Sequence, residues 1–493
     1  MIKNVFMKLK ITRTIANNHV VEPRIYWMAC VLHLISINES CCFLRLSKRE
    51  RFESKLRVSE MAMEVDIAIV GGGLGGLALA LGLQERGIRA HVFEKAPKVR
   101  KRNGTSISLH MNGLRALEGI KPGLITRLMT KGAQVTKISG IHRTHGEPER
   151  VTRRSIAPGS TCAIPWKSAH ETLADAILNQ SLLHWRHAFV NYNVIEGGVE
   201  ARFEVLPEEE SVDPSPLHTQ MVRAKLLVGV DGIKSQVRKI MVGDEPRDLF
   251  AITWNAVVPT VSSLNLHEEG ECRFFTYSDA NSVKTVFLND AGSKLTLWQV
   301  RTLDVSGEIT KTYPLELEAH GRDVRKIRAL RQVEGLEWIE NLREVIEATN
   351  SDSVRESRQF DRLPLTSWSD SSKRVVLLGD AAHGMYPGPA QGARTAFEDA
   401  HQLAMLLHEA LTSSAPEGAI SEAVTRYQEV RIARTNRIQA YAAEKTGLSD
   451  FIPEWVRNLP PEEQQKREQE FQQWTLQYPE AISGDPNSTY WKP

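Results

Sequence analysis

Three short runs of aliphatic and β-branched residues stand out along the chain: Val65–Val70, Leu226–Val230 and Val375–Leu378. They are apolar at nearly every position rather than at alternate ones, which predicts strands buried on both faces of a parallel sheet. The first run passes through Gly71–Gly76 into Leu77–Arg86, where the Ala/Leu pattern predicts a helix that Gly87 stops. Ile88–Phe93 then predicts a second strand, ending at Glu94. Beyond the second run the pattern changes. Phe250–Pro259, Arg273–Tyr277, Lys284–Leu288 and Lys294–Arg301 predict four strands separated by polar turns, which suits an antiparallel sheet. Pro314–Ala348 is charged and reads as amphipathic helix. From Gly447 onward the chain turns polar, with a short Glu/Gln-rich helix and a Pro/Ser/Asn tail.

Composition adds a boundary. The chain has 493 residues, 41% hydrophobic and 25% charged, which excludes a collagen-like, wholly disordered or integral membrane protein. Its formal charge of +2 is uneven, because residues 1–60 hold 11 Lys/Arg against 5 Asp/Glu and the remainder is mildly acidic. Three of the five cysteines (Cys30, Cys41, Cys42) lie in that basic segment, and no CxxC or Cys/His cluster has metal-ligand spacing. A reducing, cytoplasmic setting without a metal is expected. The apolar run Ile25–Ile37 is only 13 residues, short of the roughly 20 that span a bilayer. Met61 and Met63 stand directly before the first strand. Residues 1–62 are therefore expected to be an extension outside the working fold, and nucleic-acid binding by the body is not expected.

The glycine turn carries the first chemistry. Gly71, Gly73 and Gly76 form GxGxxG between a strand and a helix, and Glu94 follows 18 residues after Gly76. Gly71 permits the tight turn, Gly73 lets a pyrophosphate approach the backbone, and Gly76 lets helix and strand pack closely. The helix start offers free N–H groups to phosphate, and Glu94 is placed to accept from a ribose diol. Lys95 adds a positive charge beside it. This pattern predicts a dinucleotide site without choosing between FAD and NAD.

Two distant motifs bear on that choice. The second strand run leads into Asp231-Gly232-Ile233-Lys234-Ser235-Gln236-Val237-Arg238, a DGxxSxxR pattern. The third ends in Gly379-Asp380-Ala381-Ala382-His383, followed by Pro387, Gln391-Gly392-Ala393 and Glu398-Asp399-Ala400. With the glycine turn and the late Tyr427–Arg434 segment, the chain from about Val65 to Gln439 resembles the class A FAD-dependent aromatic monooxygenases. That group contains p-hydroxybenzoate hydroxylase, salicylate hydroxylase and kynurenine 3-monooxygenase.

The resemblance implies an α/β fold: a Rossmann-like FAD-binding domain of the glutathione-reductase type, an inserted, mainly antiparallel substrate domain, and C-terminal helices. The corresponding boundaries are 63–245 with 360–445 for the FAD-binding domain, 246–359 for the substrate domain and 446–493 for a C-terminal helical and polar tail. It implies FAD as cofactor, NADPH or NADH as co-substrate, and transfer of one oxygen atom from O2, through a flavin hydroperoxide, to a small aromatic or polycyclic molecule. Asp231 and Arg238 correspond to the shared FAD/NAD(P)H pyrophosphate motif. An acidic residue at a strand's carboxyl end, here Gly379-Asp380, suits the ribityl hydroxyls. Gln391-Gly392-Ala393 would aim helix N–H groups at the flavin's pyrimidine edge.

Three positions depart from the family. Lys167 stands where an arginine often binds the flavin phosphates and lacks its bidentate fork. Arg394 stands where many members have asparagine, and the Gly-x-Gly after the second strand is Gly104-Thr105-Ser106. Trp254, Phe275, Tyr277, Phe287 and Trp298 are candidate pocket residues from the middle strands. No pattern designates a catalytic base; Tyr386 and Arg394 flank the flavin motif and could polarise a phenol. His383 is expected to brace its turn rather than carry protons. A flavin epoxidase or halogenase and a non-catalytic carrier of the GDP-dissociation-inhibitor type are the alternatives. The halogenase WxWxIP signature is missing, and the carrier has little need of the third motif. A monomer or homodimer is expected.

Overall fold

The computed structural model describes residues 62–98, 104–208, 215–279, 283–304, 306–309, 324–412, 418–446 and 448–479. These lie in one unit, Met61–Pro493. The expectations for residues 1–61 and for the extreme tail fall outside the described residues. Among the described residues no helix is long and apolar enough to cross a membrane.

The apolar runs form the centre of the first sheet. Its order is Leu183–Trp185, Ala90–Glu94, Met63–Val70, His218–Gly229, Gly198–Val205, His187–Ile195, and Val375–Leu377 also pairs with His218–Gly229. The first-motif strand is parallel to the second strand and to His218–Gly229, which is parallel in turn to Val375–Leu377. The register sets Val70 level with Phe93 and Gly229, and Gly229 level with Leu377. All three motifs and Glu94 therefore leave the sheet at one carboxyl edge, where open α/β sheets bind their ligands. The helix Leu74–Glu85 is apolar on every side and buried from Leu74 to Leu83, as a helix enclosed by neighbours should be. The long helices Gly392–Thr412 and Ala419–Glu444 complete this layer.

The second sheet runs Arg355–Asp361, Arg247–Pro259, Leu295–Leu303, Val283–Gly292, Glu271–Ser278, Lys137–Thr144, Arg150–Ser155. The four expected strands are its middle and are antiparallel to one another. Lys137–Thr144 and Arg150–Ser155, expected within the cofactor domain, instead extend this sheet, through a parallel pairing with Glu271–Ser278. One face packs on Val324–Gln332 and Leu342–Ala348 through a core that includes Val300, Leu288, Ala329 and Ile346.

The C-terminal segment is no loose tail over its described length. The helix Pro461–Leu476 buries Phe471 and Trp474, and Tyr478 beyond it is fully buried. Gln402 Nε2 donates to the Tyr478 hydroxyl at 2.9 Å, and Arg115 Nη1 donates to the Leu476 carbonyl at 3.0 Å.

Candidate cofactor-binding site

The three glycines of the turn have different physical tasks. Gly71 has φ +111°, and a Cβ there would lie 2.4 Å from the Val230 carbonyl oxygen. A Cβ on Gly76 would lie 2.0 Å from the Gly71 carbonyl oxygen. Gly73 has an ordinary φ of −73°, and a Cβ there would meet nothing within 4 Å. Folding thus needs the first and third glycines. The second keeps clear the space in front of a helix start that no side chain caps. Gly73→Ala is expected to leave stability within about 1 kcal/mol of the parent while weakening FAD binding by roughly tenfold or more, about 1.4 kcal/mol. Gly76→Ala is expected to fail in folding. Thermal melting of the apoprotein with flavin titration separates the two, and a Gly73→Ala protein with full affinity would remove this glycine from the site.

Glu94 braces the same turn. Its Oε2 accepts from Gly72 N at 2.7 Å and its Oε1 from Ala96 N at 2.8 Å. His170, which the sequence reading passed over, bonds the Gly72 carbonyl through Nε2 at 2.8 Å and stacks on Trp166. Its helix, Trp166–Asp175, also carries Lys167, whose Nζ is 3.9 Å from Glu171 and whose side chain is 30% exposed. Trp166 N donates to the Thr105 carbonyl at 2.7 Å, so Gly104 (φ +74°) sits at the same corner. Lys95 is exposed next to Glu94. The structure thus brings Gly71, Gly73, Gly76 and Glu94 to one helix start, and His170 ties to it the helix that carries Lys167, with Gly104 at that helix's own corner.

The second motif is turned inward. Asp231 caps the helix Gln236–Val242, accepting from Ser235 Oγ at 2.5 Å, Gln236 N at 2.7 Å and Val237 N at 3.2 Å. Burial pushes its pKa up, while these bonds pull it back. Arg238 is fully buried. Its guanidinium donates to Asp244, to the Leu363 carbonyl at 2.9 Å and to the Ala382 carbonyl at 2.7 Å. Every terminal nitrogen is committed to protein oxygen, so Arg238 supports the third motif from beneath.

That third motif presents the exposed chemistry. Gly379 has φ +63°, and Asp380 opens the short helix Asp380–His383. Protein surrounds the Asp380 carboxyl closely enough for burial to raise its pKa, with His383 acting in the opposite sense. Its surface is nonetheless open to solvent, the combination expected on the wall of a deep cleft. No hydrogen-bond partner for this carboxylate occurs among the described residues. A Cβ on Gly392 would lie 3.6 Å from Asp380 Oδ1, so the start of Gly392–Thr412, with Gln391 and Ala393, stands beside the carboxylate.

Beneath these groups lies a buried ionic network, whose residues the sequence motifs contain only in part and without a sign of their role. Asp399 accepts from Gly379 N at 3.1 Å, His383 Nε2 at 2.5 Å and Arg431 Nε at 2.8 Å. Glu398 accepts from Arg434 Nε at 2.7 Å and from Asn112 Nδ2 at 2.9 Å. Asn112 also donates to Gln391 Oε1 at 3.1 Å, and nothing in its sequence context marks it. His383, fully buried against Trp368, braces the turn.

The aromatic expectations require a correction. Trp254, Phe275 and Trp298 are buried on the helix-packed face of the second sheet, with Tyr277 packed against the same core. The indole N–H groups of Trp254 and Trp298 donate to Glu356 at 2.7 Å and Thr349 at 2.9 Å. Alternation along each strand puts the opposite residues on the other face: Asn255, Gln299, Phe287 and Phe274 form one rung, and Thr253, Arg301 and Thr285 the next. Arg301 lies with its guanidinium 4.6 Å over the Tyr386 ring. Of the five aromatics, only Phe287 shares the face that meets the third motif. A separate pocket, lined in part by Glu64, Asp66, Arg89 and Arg223, lies at the amino edge of the first sheet, away from the motifs.

A glycine turn open at its helix start, beside an unpartnered carboxylate at a second helix start, fits a dinucleotide that carries a polyol. These features define a flavin-dependent nucleotide-binding fold. The FAD binding domain family matches residues 64–439, and the chain belongs to that family. The chain is 29% identical over 400 residues to 3-amino-4-hydroxybenzoate 2-monooxygenase of Streptomyces cremeus, covering 78% of this chain and 89% of that protein. It is 25% identical to the chloroplastic zeaxanthin epoxidase of Oryza sativa subsp. japonica, over 76% of this chain and 54% of that protein, so it spans about half that enzyme's length. The solved structure of Klebsiella pneumoniae HpxO complexed with FAD and uric acid aligns with a TM-score of 0.62 at 21% identity, covering 85% of this chain and 94% of that one. The protein is an FAD-dependent monooxygenase, an oxidoreductase class that draws electrons from NAD(P)H.

Proposed function

We propose that the chain hydroxylates a small, electron-rich aromatic compound, placing one atom of O2 on the ring while the other leaves as water. The observation that carries this reading is the convergence of the three motif strands on one edge, where Asp380 stands free beside the helix start at Gly392. Likeness to a hydroxybenzoate monooxygenase supports an aromatic substrate. Bound FAD, reduced by NAD(P)H, supplies the oxygen-activating chemistry. The chain's part is to bind and orient. The open helix start at Gly73 receives phosphate, with Lys167 adjacent, and Asp380 accepts from ribityl hydroxyls. The N–H groups opening Gly392–Thr412 favour negative charge at the flavin. The face carrying Asn255, Gln299, Phe287 and Arg301 covers the substrate and excludes water.

Epoxidation of an alkene is the second reading, supported by the zeaxanthin epoxidase likeness. The purified protein should be yellow, and a phenol or aminobenzoate should accelerate its NAD(P)H oxidation at least tenfold with hydroxylated product formed. Acceleration only by alkenes would select the epoxidase. A colourless protein that takes up no FAD on reconstitution would end both readings.

A further inference from the structure

Arg394 departs from the family, and its surroundings give that departure a direction. Only 5% of the residue is exposed. Its stem lies against Gly113, where a Cβ would come within 3.0 Å of Arg394 Cγ. Nε donates to the Ser108 carbonyl at 2.9 Å. Neither Nη nitrogen has a hydrogen-bond partner among the described residues, and neither is sealed from solvent. The nearest acid, Glu398, is already engaged by Arg431, Arg434 and Asn112. His110 beside it adds no negative charge, being held neutral with its pKa lowered to about 2 by burial and by Arg394 and Arg154.

The strand Ser106–His110 explains where this cation points. Leu109 is buried in the first core and Ile107 packs against it, so Ser106, Ser108 and His110 face the other way. A buried guanidinium without a counter-charge is expensive. It persists where a ligand supplies the anion, and the enclosed setting strengthens such a bond.

We infer that Arg394, with Ser108 and His110 beside it, is the recognition site for a carboxylate on the aromatic substrate. The inference rests on the monooxygenase reading and narrows its substrate class to aromatic acids. Arg394 is assigned to specificity, not to oxygen transfer.

The test uses the FAD-loaded protein and matched pairs of probes: benzoate, 3-hydroxybenzoate and anthranilate, each against its neutral amide. Binding is read from the perturbation of the flavin absorption spectrum. At least one acid should bind roughly tenfold or more tightly than its amide, the scale of a lost charge-assisted contact. Arg394→Gln should remove that preference at unchanged flavin occupancy, and Arg394→Lys should retain part of it. Wild-type protein that binds no acid, or binds acids and amides alike, overturns the inference. So does an Arg394→Gln protein that keeps the preference, or one whose only change is in flavin midpoint potential. Acid-selective binding without substrate-stimulated NAD(P)H oxidation would uphold the site while sinking the monooxygenase reading.

Discussion

Asp380→Ala is expected to strip the flavin from the protein while leaving the apoprotein at least as stable as the parent. The two halves of this result have one cause. The protein packed around the Asp380 carboxyl raises its pKa, so its charged form is disfavoured in the fold, by an amount that its exposure to solvent keeps small. A carboxyl whose folded pKa is raised binds its proton more tightly folded than unfolded. Its cost to stability is therefore present at neutral pH and fades as pH falls through the folded pKa toward the ordinary carboxylate range. Alanine removes that cost. It also removes a charged acceptor, and hydrogen bonds to charged groups contribute about 1.5–3 kcal/mol each, equivalent to roughly ten- to a hundredfold in affinity. Asp380→Asn, which can still accept from a hydroxyl, should fall between the two. The ratio of flavin to protein absorbance after gel filtration, with apoprotein melting alongside, reads both halves. Full occupancy in Asp380→Ala would displace the flavin from this edge of the sheet.

Much of this edge was legible in the sequence, for reasons that individual residues make plain. Val65–Val70, Leu226–Gly229 and Val375–Leu377 are apolar at nearly every position because both faces of the sheet are covered. Strands of that kind pair in parallel, so the residues at their carboxyl ends, Gly71, Val230 and Asp380 among them, leave the sheet at one edge. Period-two alternation was equally visible in the second sheet. Without the register between strands it could not separate Trp254, Phe275 and Trp298 from Phe287, or say which set faced the helices. That was decided by partners more than forty residues away, such as Ile346 and Leu342. Aromatic residues therefore drew attention to the wrong face, and the polar rung of Asn255 and Gln299 was overlooked. The C-terminal helix was legible in the sequence, but its composition hid how deeply it packs. Pro461–Leu476 is rich in Glu and Gln, yet Phe471 and Trp474 recur at positions i and i+3 and mark a buried face, with Tyr478 buried just beyond the helix. Asn112 offered no such signal, because its role depends on Gln391 and Glu398, nearly three hundred residues further on.

Arg431→Met should be among the most damaging single substitutions outside the cleft, although Arg431 is not expected to touch cofactor or substrate. Its guanidinium lies between two buried acids, with Nε 2.8 Å from Asp399 and Nη2 2.8 Å from Glu398. Burial alone would raise the pKa of both carboxyls. Arg434 and Arg431 overcome this for Glu398, as His383 and Arg431 do for Asp399, and both acids are held below their ordinary values. Acids lowered in this way contribute stability that is fully present above the ordinary carboxylate range and is lost as pH falls below about 4. Methionine fills much of the arginine's volume but takes away the guanidinium between the two acids, leaving Asp399 bonded only to His383 and Gly379 N. Removing one partner of a buried ion pair costs about 3–5 kcal/mol. The damage should extend to the cofactor, because Asp399 also holds Gly379 N at the turn before Asp380. Arg431→Met is therefore expected to melt well below the parent and to lose flavin affinity. Adding Asp399→Asn should restore part of the stability, since a buried amide costs less than an unpaired carboxylate. A double-mutant cycle scored by melting and flavin titration measures that coupling. Coupling near zero, or a single variant that melts with the parent, would mean that the network does not carry the flavin turn.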